Sequence, residues 1–507
     1  MSTMRQLKMK LMAYALLVLM LCTGICRANP LTTENEVAHG RIGTWPGALA
    51  ETLAKAKFPE ARMVYFETVA DMAQNLRQNK IEAFCMNRLF VDELLASGQD
   101  DVEILVNDLG KTNFAFVFAD SEQGKRLCSE FNEFLKKKQE NGELFAWHKK
   151  WLSGDKESRV MEKIELTGEK GMLNVVTNPV FPPLVYMQNN EISGFEAELF
   201  MRFCAAYGYD FKYTVAAFET AMAGVNIGQF DLGFCAVEYK PERAEHFLFS
   251  DRTCEADCVL VVRSDGNSEL GPLAALKKKF RDTFIREDRW QLFVSGLFTT
   301  VLITVASVFC GTVLGFGECL LYHEQKQGVN AVLDFLSRLF AGMPIVVLLM
   351  VFYYIVFGSW DVSGTMVAIV AFSLLFGFSV FEMLKNAAAN IPRGQTEGAL
   401  ALGFSGRQAF MKFIIPQAVR QAFPTYQAEI IGLLKSTAIV GYIAVQDLTK
   451  MADIIRAQTF DAFAPLIVIT VLYLFFVWLL QKITNMLLGC LDPKRRTKAE
   501  ILRGVRP

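Results

Sequence analysis

The sequence predicts a multi-domain chain, with two α/β lobes in its N-terminal half and an all-α membrane domain of five transmembrane helices behind them. Three observations carry this. The 507 residues are 52% hydrophobic and only 21% charged, too long and too apolar for one soluble domain. From about Val37 to Arg263, strand-like and helix-like stretches alternate. Beyond Asp265 the composition turns to apolar runs of spanning length. A net charge of −1, from 52 Lys+Arg against 53 Asp+Glu, argues against a nucleic-acid-coating role, and high apolar content without a long single-sign run excludes a disordered tail protein. Eleven cysteines without a CxxC pair, together with four histidines, indicate neither a disulfide scaffold nor a metal site.

The first segment reads as an address. Arg5, Lys8 and Lys10 precede an apolar run from Leu11 to Leu21, as in a secretory signal peptide (1–28). Cys26-Arg27-Ala28 offers a small-x-small cleavage site and a mature start near Asn29. An uncleaved anchor is the alternative. A lipid-modified Cys26 is disfavoured by the bulk of Ile25. Either way, the following lobes are expected outside the cytoplasm.

In 37–152, Ala61–Phe66 reads as a strand, Val69–Gln78 as an amphipathic helix, Ile81–Met86 as a buried strand and Asn132–Trp151 as helix. A polar stretch, 153–170, reads as a linker. The alternation restarts in 171–265 with strand Met172–Thr177, helix Phe195–Tyr207, strand Asp210–Val215, helix Phe218–Asn226, and strands Asp231–Val237 and Val259–Arg263. Cys254 and Cys258 are a possible disulfide in an oxidising compartment, with Cys235 as competitor, and spacing alone does not decide it.

After a second linker (266–289), the membrane domain (290–490) holds apolar runs Leu292–Tyr322, Leu333–Phe357, Met366–Phe381, Ala428–Val445 and Pro465–Leu488. An odd number of spans puts a secreted N-terminal part and the C-terminus on opposite sides. The tail (491–507) carries Lys494, Arg495, Arg496, Lys498, Arg503 and Arg506, and the loop between spans three and four carries Arg393, Arg407, Lys412 and Arg420, so both are placed in the cytoplasm. Lys277, Lys278, Lys279, Arg281, Arg286 and Arg289 stand against this orientation and are outvoted. Lys435 and Glu382 are ionisable groups in or near spans, which either face a path or snorkel from span ends.

Residues 392–420 read as helix, break, helix: small residues from Glu397 to Leu402, Gly403 to end that turn, Ser405 to cap the next helix, and Pro416 to limit or kink it. The stretch resembles the EAA loop (394–417) of ABC-transporter permeases, the helix that sits in a groove of the ATPase. Glu397, Ala399, Gly403, Pro416 and Gly394-Gln395 match, whereas Gly398 replaces the usual alanine. Gly342-Met343-Pro344 and Leu433-Leu434-Lys435-Ser436-Thr437-Ala438, with Asp447-Leu448, resemble the polar amino-acid (histidine/glutamine type) permease group. No GxxxxGK[ST] occurs, and Gly124-Lys125 lacks the rest of a phosphate-cradling loop, so ATP hydrolysis is expected on a separate chain.

The lobes resemble a family 3 solute-binding protein, with the order inverted. Thr177–Tyr186, Gly194-Phe195-Glu196, Phe218, Asp231-Leu232-Gly233, Pro241-Glu242-Arg243 and Phe249-Ser250-Asp251 look like its first lobe. Residues 38–152 look like the second lobe plus closing helices. The resemblance implies a two-lobed periplasmic-binding-protein-like domain with lobes in permuted order, or else two truncated receptors completed by other chains. It implies that Arg243 holds a ligand carboxylate, that Phe181 and Phe218 are aromatic walls, and that Ala236 supplies a backbone contact. Departures fall at Asn87 and Asn178, where the family commonly has acids, at Glu238 in place of a threonine, and at Trp45 in place of a polar residue. Glu238 either restores the missing negative charge or selects a cationic or hydroxylated ligand, and Trp45 offers a cation–π or stacking surface.

These readings converge on the substrate-binding and permease subunit of an ATP-driven importer for a polar amino acid or similar zwitterion. The subunit would be multi-pass in the cytoplasmic (inner) membrane, without cofactor, metal or catalytic residues. Its partners would be a small-molecule ligand, a cytoplasmic ABC ATPase dimer, and a second copy or a similar permease. The alternative is a ligand-gated channel or membrane sensor, against which the coupling loop and the short tail argue. A non-binding receptor on a live permease is a third reading, motivated by Asn87 and Asn178.

Overall fold

The computed structural model describes residues 34–98, 101–153, 158–264, 277–323, 327–358, 360 and 362–491. The expected signal peptide with Cys26, and the basic tail, lie outside the described residues. Two five-stranded sheets form the lobes. The first has the order β2-β1-β3-β13-β4, from β1 (Arg41–Thr44), β2 (Arg62–Tyr65), β3 (Ala83–Asn87), β4 (Val102–Phe114) and the much later β13 (Cys254–Arg263). The second has the order β10-β6-β11-β5-β12, from β5 (Val117–Phe118), β6 (Met172–Thr177), β10 (Asp210–Val215), β11 (Leu232–Phe234) and β12 (Leu248–Phe249). A small antiparallel sheet of β7 (Val180–Phe181), β8 (Val185–Gln188) and β9 (Glu191–Ser193) extends the second lobe.

Each lobe is thus parallel at its centre and completed by antiparallel strands that arrive from the other lobe. β1 runs parallel to β2 and β3, and β6 parallel to β10 and β11. β5 and β13 pair antiparallel in their adopted sheets. The two crossings are tied together: Thr253 N donates to Phe114 O at 2.9 Å, and Ser250 N donates to Phe116 O at 2.9 Å.

The helices of the first lobe are α1 (Leu49–Lys57), α2 (Val69–Arg77) and α3 (Arg88–Ala96). Thr68 caps α2 by accepting from Asp71 N. The helix expected over 132–151 is two helices, α4 (Glu122–Glu140) and α5 (Glu143–Leu152). The break falls at Gly142, whose φ of 79° is the left-handed conformation that glycine adopts without a Cβ clash. Phe131 and Phe134, one turn apart on α4, pack with Phe116, Phe203 and Phe234 in the core. Such rings contribute on the order of 2–3 kcal/mol each on burial. α6 (Phe195–Tyr207) and α7 (Phe218–Asn226) complete the second lobe, at the bounds expected from the sequence.

The stretch read as a linker is pinned where it is described. Arg159 forms a buried ion pair with Glu93, and Glu162 accepts from Arg202 at 2.8 Å. Cys254, Cys258 and Cys235 are all free. Cys254 and Cys258 share one extended strand four residues apart, roughly 13 Å by strand rise, about twice the reach of a disulfide.

The membrane part contains α8 (Trp290–His323), α9 (Gln327–Gly342), α10 (Ile345–Met350), α11 (Gly364–Ala389), α12 (Arg393–Ala401), α13 (Gly406–Ala409), α14 (Ile415–Ser436), α15 (Leu448–Thr459) and α16 (Ala464–Leu491). Among the described residues, α8, α11 and α16 are by themselves long and apolar enough to cross a membrane, and the number rises to 5 if each of two bent pairs counts as one span. The run expected as span two is broken at Gly342-Met343-Pro344, where the axis bends by 108°. Pro344 lacks an N–H and excludes helical geometry from the residue before it. The run expected as span four leaves α-helical geometry at Thr437 and ends at Ala444, whose φ is 58°. α8 and α11 approach so closely that a Cβ on Gly315 would lie 2.3 Å from Gly377 O.

Candidate ligand cleft and coupling surface

The carboxyl ends of the parallel strands face one crevice between the lobes, where open α/β sheets place their ligands. Trp45 follows β1 and Asn87 ends β3, while Asn178 follows β6 and Ala236 lies just beyond β11. Phe218 opens α7, and Phe181 lies in β7. Glu238 sits beside the first crossing, bridged to Phe114, with Arg243 five residues on. Direct contacts join Arg243 to Phe218 and Glu238, Glu238 to Asn87, and Trp45 to Phe181, whereas Asn178 and Ala236 are placed by the strand ends that carry them.

Glu238 is buried and accepts from Asn87 Nδ2 at 2.9 Å and from Leu49 N at 2.6 Å. Arg243 donates to Gly47 O at 3.2 Å and to Glu238 O at 3.3 Å, with its guanidinium 5.5 Å from the centre of the Phe218 ring. Trp45 packs edge-on against Phe181 at 5.6 Å and Phe90 at 5.4 Å. Among the described residues the Trp45 indole N–H is buried without a hydrogen-bond partner. The cavity beside Trp45 and Phe181 measures about 10 Å³, room for one water at most. The bonds of Glu238 to Asn87 and Leu49 and of Arg243 to Gly47 draw the lobes together. A cavity of about 250 Å³ lies elsewhere, against Trp147, but its cations Lys138 and Arg202 are already paired with Glu143, Glu162 and Glu198.

Glu196, at the start of α6, is fully buried and accepts from Ala236 N at 3.0 Å. Ala236 has a φ of 53°, so this bond holds a strained backbone in place. Burial pushes the Glu196 carboxyl up to about 8, against the smaller lowering from the Ala236 N–H.

In the loop between α11 and α14, Glu397 lies exposed on α12 and Ala399 is buried. Gly403 has a φ of 89°, ending the turn, and Ser405 forms a reciprocal capping box with Gln408. Pro416 stands in the first turn of α14, behind a π-helical stretch over Phe410–Ile414. Leu400 and Leu402 are 48% and 77% exposed on this polar loop. Glu382 accepts from Ser337 at 2.9 Å and pairs with Lys385 at 2.7 Å, while Lys435 is exposed on the bundle surface.

Three residues of α15 that sequence reasoning missed join the receptor to the helices. Lys450 Nζ donates to Asn178 Oδ1 at 3.3 Å, Gln458 Nε2 donates to Met187 O at 2.8 Å, and Arg456 pairs with Asp71. Around them Val215, Leu292, Phe293, Leu448, Met451 and Ile455 form a shared apolar cluster. Only the polar positions inside the amphipathic stretch after span four hinted at this.

Two lobes joined by paired crossing strands and seated on helices of spanning length define a membrane protein with a built-in receptor. The chain belongs to the bacterial extracellular solute-binding proteins, family 3, whose model matches residues 173–435, and joins that family to an ABC-transporter permease of the amino-acid type. It is 31% identical over 197 residues to the arginine ABC transporter permease protein ArtQ of Haemophilus influenzae, covering 36% of this chain and 87% of that one. It is 29% identical over 196 residues to the putative glutamine transport system permease protein GlnP of Rickettsia bellii, covering 38% and 90%. A crystal structure of an amino acid ABC transporter with histidines matches with 27% identity over 43% of this chain and 97% of that one, at a TM-score of 0.37.

Proposed function

We propose that this chain is the fused receptor and permease subunit of an ATP-driven importer of a polar amino acid. The observation that carries the reading is the placement of Arg243 and Glu238 five residues apart on one crevice between hinged lobes. An arginine fork suits a carboxylate, and a carboxylate suits an ammonium group. Relatives named for glutamine and arginine support an α-amino acid as cargo. The lobes form one permuted receptor, a reading supported by β13 and β5 each completing the opposite sheet within this chain. The helices cross the inner membrane five times, with the bent pairs each counted once and the receptor outside. A second copy or similar permease completes the path, and an ATPase dimer docks at Glu397–Pro416 in the cytoplasm.

The test is equilibrium binding of labelled L-glutamine and L-arginine to the full chain in lipid nanodiscs, with small dicarboxylates as controls. Saturable binding of an amino acid, lost on Arg243→Ala, supports the reading. A well-folded chain that ignores every amino acid offered rules it out.

A further inference from the structure

Helix α15 belongs to the membrane part by its contacts at one end. Leu448 N donates to Thr300 Oγ1 of α8 at 3.1 Å, and Gly296 of α8 leaves room for Leu448 and Met451. Along its length the same helix touches both lobes. Lys450 reaches Asn178, at the carboxyl end of β6, and Gln458 holds the backbone of β8. Arg456 pairs with Asp71 on α2 of the other lobe. Ala457 walls the small cavity beside Trp45 and Phe181, and Phe460, just past the helix, is buried in the receptor's core cluster.

We propose that α15 is a release helix, holding the receptor shut on the permease and filling with the Lys450 ammonium the part of the crevice beside Asn178. A cation drawn partly out of water needs an acceptor to meet it, and the acceptor here is the side-chain oxygen of Asn178. Because the helix grips opposite lobes through Lys450 and Arg456, its engagement and lobe closure are one event. A ligand must displace it or bind before docking, which lowers apparent affinity by the fraction of receptor left free. This inference rests on the crevice being an amino-acid site.

The experiment uses the full chain in lipid nanodiscs, with spin labels at the exposed positions Lys80 and Lys137, one on each lobe. The unsubstituted helix should give one short, narrow interlobe distance, and the Lys450→Met, Arg456→Ala pair should broaden it to longer values. Asp71→Lys alone should also open the lobes, and adding Arg456→Glu should close them again, which separates a lost clamp from misfolding. Labelled L-glutamine or L-arginine should bind roughly tenfold tighter to the Lys450→Met, Arg456→Ala chain, as when the competent fraction rises from about one tenth to nearly all. Unchanged distances, or unchanged affinity in a chain that binds, overturn the proposal. Failure of every form to bind either amino acid overturns the amino-acid reading instead, and with it the competition, while the distances still decide the clamp.

Discussion

Glu238 of one lobe accepts a 2.9 Å hydrogen bond from the amide of Asn87 of the other, so the closing seam of the receptor runs through an acid and an amide. A second carboxylate at position 87 would face Glu238 at that distance, and like charges so close disfavour each other's ionised forms. Asn87→Asp is therefore expected to weaken L-glutamine or L-arginine binding about tenfold at pH 7.5. Asn87→Asp with Glu238→Thr moves the single charge across the seam and should recover most of it. Titration calorimetry on the full chain checks this, and a single variant that binds normally would show that the seam does not govern closure.

Glu196 makes receptor stability depend on pH. Its carboxyl titrates at about 8 in the folded lobe against an ordinary value near 4.5. Between those limits the folded chain holds a proton that the unfolded chain has lost, so stability falls as pH rises through the window. Glu196→Gln removes that dependence. Melting curves of the full chain at pH 5, 6, 7 and 8 should fall more steeply for the natural protein than for the variant. Parallel curves would mean that the carboxyl is ionised in the fold.

Much of the second lobe was legible because its elements follow simple periods. Met172–Thr177 is a short apolar run bounded by glycine, and Phe195–Tyr207 lies between Gly194 and Gly208. The 13-residue β4 was missed because Asn107, Asp108 and Gly110 interrupt its alternation, and only pairing with β13 from the distant end of the receptor makes it a strand. The crevice residues were legible through motif resemblance. Their partners were not, since Glu238 meets Leu49 and Asn87 across long stretches of chain. Lys450 and Arg456 drew no reading from the sequence, because polar residues on an amphipathic helix usually face solvent and no local pattern separates that from a face covered by another domain.

The contact between α8 and α11 predicts a sharp size limit. With Gly377 O only 2.3 Å from where a Cβ on Gly315 would stand, Gly315→Val forces the helices apart. Overpacking of this kind costs about 1–3 kcal/mol, so the variant should melt several degrees lower in detergent. Gly317→Val on the same helix, where a Cβ meets nothing within 4 Å, should melt as the natural protein does. Equal melting of the two variants would show that the close crossing does not limit stability.

Leu402, 77% exposed on the loop behind Glu397, is a large apolar side chain on a polar surface. Exposed leucines beside a short capped helix mark a docking face when a partner covers them. Leu402→Asp should then cost about 2 kcal/mol or more of docking energy and cut uptake of labelled amino acid at least tenfold in cells that depend on this chain. Binding by the purified chain should be unaffected, because among the described residues none of the crevice residues contacts the Glu397–Pro416 loop. Uptake that survives Leu402→Asp would place the motor contact elsewhere. Binding lost together with uptake would mean that the substitution had disturbed the fold rather than the coupling.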